Sequence, residues 1–360
     1  MNPLGEKLAA LIEQEGPLTI ADYMAICLFD PAHGYYTTRE PFGAAGDFTT
    51  APEISQMFGE LVAVWLYSAW QAAGSPRPLC IAEIGPGRGT LMKDLIRTLS
   101  QLDPGLAGEV RFALVEASPR LTEVQKQTLA GSTFSVDWFR QVGDLPWVST
   151  LFVGNEIFDA IPMRQFVRRD GRWRERCVGL DGDGKLTFVQ GPGEPDPGLL
   201  PADAGSAEEG TLIELAPARN ALMDAVAERI ARDGGAAIFF DYGHLETGYG
   251  DTLQAVRRHA FDEVLGAPGE ADLTSHVDFA ALGAVAAQYG LSTHMATQGD
   301  FLLAMGLRER AGLLGRSADA ETRERIVGEA RRLAAFDEMG ELFKVLAVTP
   351  RGVVPPGFAA

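Results

Sequence analysis

From residue 78 onward, short runs of consecutive apolar residues alternate with segments whose apolar residues recur every three or four positions. Runs of the first kind suit strands buried on both faces, the second kind suit amphipathic helices, and their alternation marks βαβ units feeding a parallel sheet. The pattern predicts strands at 79–84, 110–115, 133–136, 150–154 and 236–241, with helices at about 90–99, 119–129 and 217–232. Residues 163–190 instead alternate apolar and polar positions around Asp170-Gly171 and Asp181-Gly182-Asp183-Gly184, which is hairpin chemistry and predicts an antiparallel appendage. Residues 191–210 hold Pro, Gly, Ala and acid with almost no large apolar side chain, so a mobile surface loop is expected there. A helix at 278–289, a strand near 291–296, a charged helix pair across 301–336 and a strand at 342–348 follow.

The first 75 residues read as helices joined by a Gly- and aromatic-rich segment at 31–46. Pro52 and Glu53 take the first-turn positions they favour in a helix whose core face is Ile54, Met57, Phe58, Leu61, Val62 and Trp65, and Gly74 ends it. The expected organisation is a helical lid or cap over 1–75 and an α/β domain over 76–350. That domain carries an inserted hairpin region at 163–210 and helical insertions at 242–277 and 301–336.

Composition narrows the function classes. The chain has 360 residues, 46% apolar and 22% charged, as expected of a globular protein with a sizeable core. Its net charge of −18 repels a phosphate backbone, and no basic patch offsets it, so nucleic acid is not expected as a partner. The longest apolar stretches, such as 61–65 and 345–348, are far shorter than the ~20 residues that span a bilayer. Residues 1–15 carry acids and no Arg, which fits neither a secretory signal nor a transit peptide, and three cysteines without metal-like spacing suit a reducing compartment. A bacterial cytoplasmic location and no metal site are the resulting expectations. Oligomeric state is not fixed by any of these features.

The strongest chemical feature is Glu83-Ile84-Gly85-Pro86-Gly87-Arg88-Gly89-Thr90, a strand running through a glycine turn into a helix. Its G-x-G-x-G spacing departs from the G-x-G-x-x-G of dinucleotide sites, which disfavours a nicotinamide-dependent oxidoreductase. Glu83 beside the turn would repel a pyrophosphate but can pair with the ammonium of an amino acid. The next strand ends at Glu116, where an acid at the carboxyl edge accepts two ribose hydroxyls. Together Glu83, Gly85, Gly87, Gly89 and Glu116 describe a site for a nucleoside bearing an amino acid. Asp137 and Trp138 offer a polar partner and an apolar wall for an adenine ring, with ordinary core packing as the alternative.

This glycine loop and acid resemble class I S-adenosylmethionine-dependent methyltransferases, and longer segments narrow the resemblance. The stretches at 46–53 (GDFTTAPE), 154–162 (GNEIFDAIP), 241–243 (DYG), 272–279 (DLTSHVDF) and 339–345 (MGELFKV) are similar to those of the MidA family. That family comprises the mitochondrial complex I assembly methyltransferases and their bacterial relatives. The resemblance implies an α/β, Rossmann-like seven-stranded class I sheet, S-adenosyl-L-methionine as cofactor, and a protein acceptor. Arginine is the favoured acceptor and a respiratory complex I subunit a candidate partner.

Methyl transfer needs near-attack geometry and exclusion of water, and an arginine acceptor also needs carboxylates to hold its guanidinium and take a proton. Asn155 and Glu156, at the end of the fourth strand, with Asp159 three residues on, are the first candidates; a strand end and helix cap is the alternative. His276 is the best placed histidine to accept a proton, though it can equally be structural. Asp47 and Thr50 lie in a segment able to fold over the cofactor, and Thr50 can instead cap the helix at Pro52. Other acceptors (nitrogen, oxygen or carboxylate) and a cofactor-binding assembly factor with little catalysis are the competing readings.

Overall fold

The run Leu79-Cys80-Ile81-Ala82-Glu83-Ile84 is buried at every position, as a strand flanked by neighbours and covered on both faces must be. A computed structural model, describing residues 2–38, 49–132, 134–258 and 260–358, places it in the middle of a mixed sheet. The strands along the main path are β1 (Leu79–Ile84), β2 (Arg111–Val115), β3 (Val136–Phe139), β4 (Ser149–Asn155), β5 (Gly235–His244), β6 (Ser292–Thr297) and β7 (Phe343–Thr349). Their order is β6-β7-β5-β4-β1-β2-β3, and an eighth, two-residue strand at Val277–Asp278 lies off this path. The five strands from β5 to β3 run parallel, whereas β7 is antiparallel to both β5 and β6.

Two compact units divide the chain. The sheet unit comprises Thr49–Ile157, Leu222–Leu245 and Asp278–Ala360. Its helices α1 (Ala51–Ile54), α2 (Gln56–Ala72), α3 (Thr90–Leu102) and α4 (Pro119–Leu129) bring apolar faces to a core in which Phe58, Trp65, Phe112, Phe240 and Phe301 are fully buried. Phe58 of α2 meets Phe240 of β5 edge-on at 4.9 Å between ring centroids. The single helix expected from Pro52 is in fact α1 and α2. Ser55 between them is extended (φ −158°, ψ 139°), and its hydroxyl accepts from the Met57 amide to cap α2. The charged stretch beyond residue 300 forms three helices rather than a pair: Gln298–Ala304, Leu307–Gly315 and Ala320–Ala334. Gly306, in the left-handed conformation, separates the first two.

The second unit comprises Met1–Phe48, Phe158–Ala221 and Glu246–Val277. Helices Pro3–Glu15 and Ile20–Phe29 pack Leu8, Tyr23, Met24 and Leu28 into its core with Val178 and Leu273. The expected hairpins are Arg164–Arg169, Arg172–Leu180 and Leu186–Gln190, in an antiparallel sheet completed by Leu18–Thr19 and Leu212–Leu215.

Three expectations need correction. Residues 242–277 are not a helical insertion: they hold strands Gln254–Arg257, Ala260–Asp262 and Asp272–Thr274 in a small antiparallel sheet. Thr49 to Ala72 cluster with the sheet unit and not with the N-terminal helices, because α2 packs nine of its residues, from Met57 to Trp70, into the sheet-unit core. The segment 191–210 is tied down: Trp173 Nε1 donates to the Ala204 carbonyl at 3.2 Å, Arg168 to the Gly205 carbonyl at 3.1 Å, and Glu175 N–H to the Gly193 carbonyl at 3.0 Å. Backbone polar groups hold it where large apolar side chains are lacking.

One buried carboxylate braces the helices of the sheet unit. Glu60 of α2 accepts from Arg97 of α3 at 2.9 Å and from Arg310 at 2.6 and 2.9 Å. Burial alone would raise its pKa, but the hydrogen bonds and charges of Arg310 and Arg97 prevail and hold it below its ordinary value of 4.5. Its stabilising contribution is therefore present above pH 4.5 and lost as pH falls through the lowered value. Glu60→Ala is expected to cost about 2 kcal/mol, since the arginines keep partial access to water. That corresponds to a Tm about 4 °C lower at pH 7, measured by thermal unfolding, with the gap closing as the solution is acidified below 4.5.

Candidate active site

Register sets the site. Ile84 pairs with Val115 on one side and Gly154 on the other, and Asn155 pairs with Phe240. The residues that follow, Gly85, Glu116, Glu156 and Asp241, therefore emerge at one carboxyl edge, where open α/β sheets bind ligands.

At the centre of this edge Gly85, Gly87 and Gly89 all adopt positive φ, at 63°, 50° and 82°. Gly85 donates its N–H to the Val115 carbonyl at 3.1 Å, and a Cβ there would lie 2.6 Å from Ile157 Cγ2. A Cβ on Gly87 would meet no atom of the described residues within 4 Å, so the turn leaves its backbone open to close approach by a ligand. Gly89 is the N-cap of α3. Thr90 Oγ1, at the start of α3, donates to Glu53 Oε1 at 2.5 Å, giving this first-turn acid of α1 a specific partner.

Glu83 is 3% exposed. Burial is the main reason its pKa stands well above the carboxylate range; the Met92 amide lowers it and the charge of Glu116 raises it further. Its Oε2 is buried without a hydrogen-bond partner among the described residues. Asn155 Oδ1 at the neighbouring edge is likewise buried with no partner among the described residues, while its Nδ2 donates to Glu156 Oε1 at 2.8 Å. Two orphaned acceptors beside an open glycine turn suit a ligand that brings donors, such as an ammonium group.

Glu116 is half-buried. Burial raises its pKa, opposed by hydrogen bonds from Ser118, Gln125 and Ala117. Ser118 N–H donates to Oε1 at 2.7 Å and Gln125 Nε2 to Oε2 at 2.9 Å. Trp138 donates its indole N–H to Gln125 Oε1 at 3.0 Å.

Asp137 departs from expectation. The third strand spans Val136–Phe139, three residues later than the run at 133–136 predicts. Asp137 consequently sits within the strand, paired with Ala113, and not at the carboxyl edge. Its carboxylate is taken by Arg111 Nε at 3.1 Å. Phe134 accounts for the difference, because it packs on the core from the loop and so mimics a strand residue.

Glu156 is a non-glycine residue at φ 54°, with its N–H donated to the Phe240 carbonyl at 2.8 Å. Such backbone strain, of order 1 kcal/mol or more, recurs at functional sites. Thr50 precedes α1 as its N-cap, but its hydroxyl makes no capping hydrogen bond. Asp47, like His259, lies outside the described residues.

Asp159 and His276 belong to the second unit, where Arg219 draws them together. This arginine, 2% exposed, donates to the carbonyls of Asp159 (3.0 Å), Ile161 (3.1 Å) and His276 (2.8 Å) and to Ser275 Oγ (2.6 Å). Ser275 N–H donates to the Asp159 carbonyl at 3.2 Å, and His276 N–H to Thr252 Oγ1 at 2.9 Å. Nearby, Tyr36 donates its hydroxyl to Asp272 Oδ2 at 3.0 Å. Neither Arg219 nor Gln125 stands out in the sequence. Gln125 has a signal there: it occupies a core position of α4, spaced four residues from Leu121 and from Leu129. Arg219 has none, as an arginine in a helical first turn normally faces water.

The comparisons with known proteins decide the family. A family model described as "Putative S-adenosyl-L-methionine-dependent methyltransferase" matches residues 61–297. The chain belongs to that family. Among curated relatives, the mitochondrial protein arginine methyltransferase NDUFAF7 of Danio rerio is 37% identical, covering 95% of this chain and 85% of the relative. The Homo sapiens protein of the same name is 35% identical over 97% of this chain and 84% of its own length. A COG1565 superfamily structure from Burkholderia thailandensis, bound to S-adenosyl-homocysteine, superposes with a TM-score of 0.83 at 29% identity. The match covers 98% of this chain and 92% of that one.

The protein is an S-adenosylmethionine-dependent methyltransferase, and the residues at the sheet edge fit that cofactor. Glu83 and Asn155 have acceptors to spare for its ammonium, the glycine turn leaves room, and Glu116 offers a carboxylate for its ribose. A buried acid with a raised pKa contributes stability below its ordinary pKa of 4.5 that is lost as pH rises through the raised value. Glu83→Gln should therefore raise the Tm of the ligand-free methyltransferase at pH 8, the advantage shrinking toward pH 4.5. The same substitution should weaken S-adenosylhomocysteine by about tenfold or more in calorimetry, through loss of the charge-assisted pair. A lower Tm at pH 8 together with unchanged affinity would remove Glu83 from the ligand site.

Proposed function

We propose that this methyltransferase acts on a protein side chain and that the acceptor is arginine. The reading rests on relatives named as protein arginine methyltransferases whose identity extends over nearly the whole chain. Bound S-adenosylmethionine supplies an electrophilic methyl group. The chain itself must hold the acceptor nitrogen in line, exclude water and receive a proton. Glu156 is suited to this, since it stands at the carboxyl edge, its carboxylate is steadied by Asn155 Nδ2, and its strained backbone fixes its direction. A carboxylate can accept two guanidinium N–H bonds at once, an arrangement that a lysine ammonium cannot match. Asp159 and His276, whose carbonyls accept from Arg219, are proposed as further candidates for acceptor binding. The cofactor side is assigned to Glu83, the glycine turn, Glu116 and Asn155, with Thr50 as a further contact. A respiratory complex I subunit is a candidate substrate. Among the described residues no helix is long and apolar enough to cross a membrane.

Methylation assays with labelled cofactor and peptides differing only in Arg or Lys test the reading. Label on arginine nitrogen is expected, and label confined to lysine or a carboxylate overturns arginine as acceptor. Glu156→Gln should lower kcat by about 100-fold while S-adenosylhomocysteine affinity stays within about twofold. Wild-type turnover in that variant would remove Glu156 from the acceptor site.

A further inference from the structure

Gln125 is a fully buried polar side chain of the cofactor edge with hydrogen bonds of 2.9–3.0 Å to the glycine turn, Glu116 and Trp138. It is 0% exposed and projects from α4, where Leu121 and Leu129 flank it on the same buried face. Both hydrogens of its amide nitrogen are used: one bonds the Gly87 carbonyl and the other Glu116 Oε2, each at 2.9 Å. Its amide oxygen accepts from Trp138 Nε1 at 3.0 Å. This pattern admits one orientation of the amide. The reversed one would set Oε1 against a carbonyl and a carboxylate and face Nε2 toward an indole N–H, three repulsive contacts in a buried place.

The consequence falls on Glu116. Its Oε1 is fixed by the Ser118 amide and its Oε2 by Gln125, and the Ala117 amide also bonds the carboxylate, so its plane is locked from both oxygens. A carboxylate has about four acceptor positions, so three donors leave about one free, enough for a ribose hydroxyl. We propose that Gln125 is the positioning residue for ribose recognition, acting through Glu116 and held in orientation by Trp138. The inference deepens the assignment of Glu116 to the ribose and rests on it.

Calorimetry on the full chain with S-adenosylhomocysteine and its 2′,3′-dideoxy analogue separates positioning from packing. The wild-type protein is expected to favour the natural ligand by about 30-fold, the worth of one hydrogen bond to a charged group. Gln125→Met, similar in volume and unable to hydrogen-bond, should cut that preference to about threefold while leaving the dideoxy analogue within about twofold of wild type. Equal loss for both ligands would make Gln125 a packing residue and overturn the proposal, as would an unchanged preference. A wild-type protein that binds both ligands equally would instead refute the ribose role of Glu116 itself, and the proposal with it. Trp138→Phe keeps an aromatic ring at this position and removes the indole N–H that orients the amide. It should lower the preference by about threefold, and it decides the matter if Gln125→Met fails to fold.

Discussion

Everything at the ligand edge follows from one constraint, the level register of parallel strands around β1. Parallel pairing offsets all side chains together, so the pairing of Ile84 with both Val115 and Gly154 brings the next residue of each strand to a common rim. A slip of one residue would turn Glu83 to the opposite face and carry Glu116 off the rim. The apolar strands enforce the register because every position of β1 is buried, and the glycine turn exists only because β1 stops where it does.

The rim is not relaxed. Glu156 holds a left-handed backbone, Glu83 is a carboxyl buried against its own ionisation, and the Asn155 oxygen is unsatisfied among the described residues. Each opposes folding, and each is tolerated beside a core with Trp65, Phe112, Phe239 and Phe240 fully buried. Concentration of such features along a few strand ends separates this edge from the rest of the sheet. At Glu60, by contrast, a buried charge is matched by two arginines and serves to join helices.

Legibility follows the strength of the local pattern. Continuous apolar runs locate β1, β4 and β5 to within a few residues, and the α4 helix is legible at its observed limits because Pro119 opens it. The glycine turn and Glu116 are readable because a strand, a turn and a helix each leave their own mark. Where apolar and polar residues mix, the pattern misleads: Phe134 draws the third strand too early, and Asp137 is thereby assigned to an edge it does not occupy. Residues 242–277 suggest helix, although they form strands, because Ala260–Asp262 and Asp272–Thr274 are too brief to show a period. The roles of Gln125, despite its core position on α4, and of Arg219 escape notice for a common reason. Their importance lies in partners distant along the chain, such as Gly87 for one and Asp159 for the other, and no local pattern encodes such a meeting.

The position of β7 bears on how the chain comes off the ribosome. This strand, Phe343–Thr349, lies between β5 and β6 in the sheet although it is made after both. Until it arrives, β5 presents a long apolar edge ending at His244, with unpaired backbone donors and acceptors along it. Roughly 100 residues separate the two, so at about 5–20 residues per second that edge waits some 5–20 s during synthesis. Nascent chains of this protein are thus exposed to strand-edge aggregation for longer than a sheet built in sequence order would be. Protection in that interval has to come from chaperones or from the speed of the final insertion.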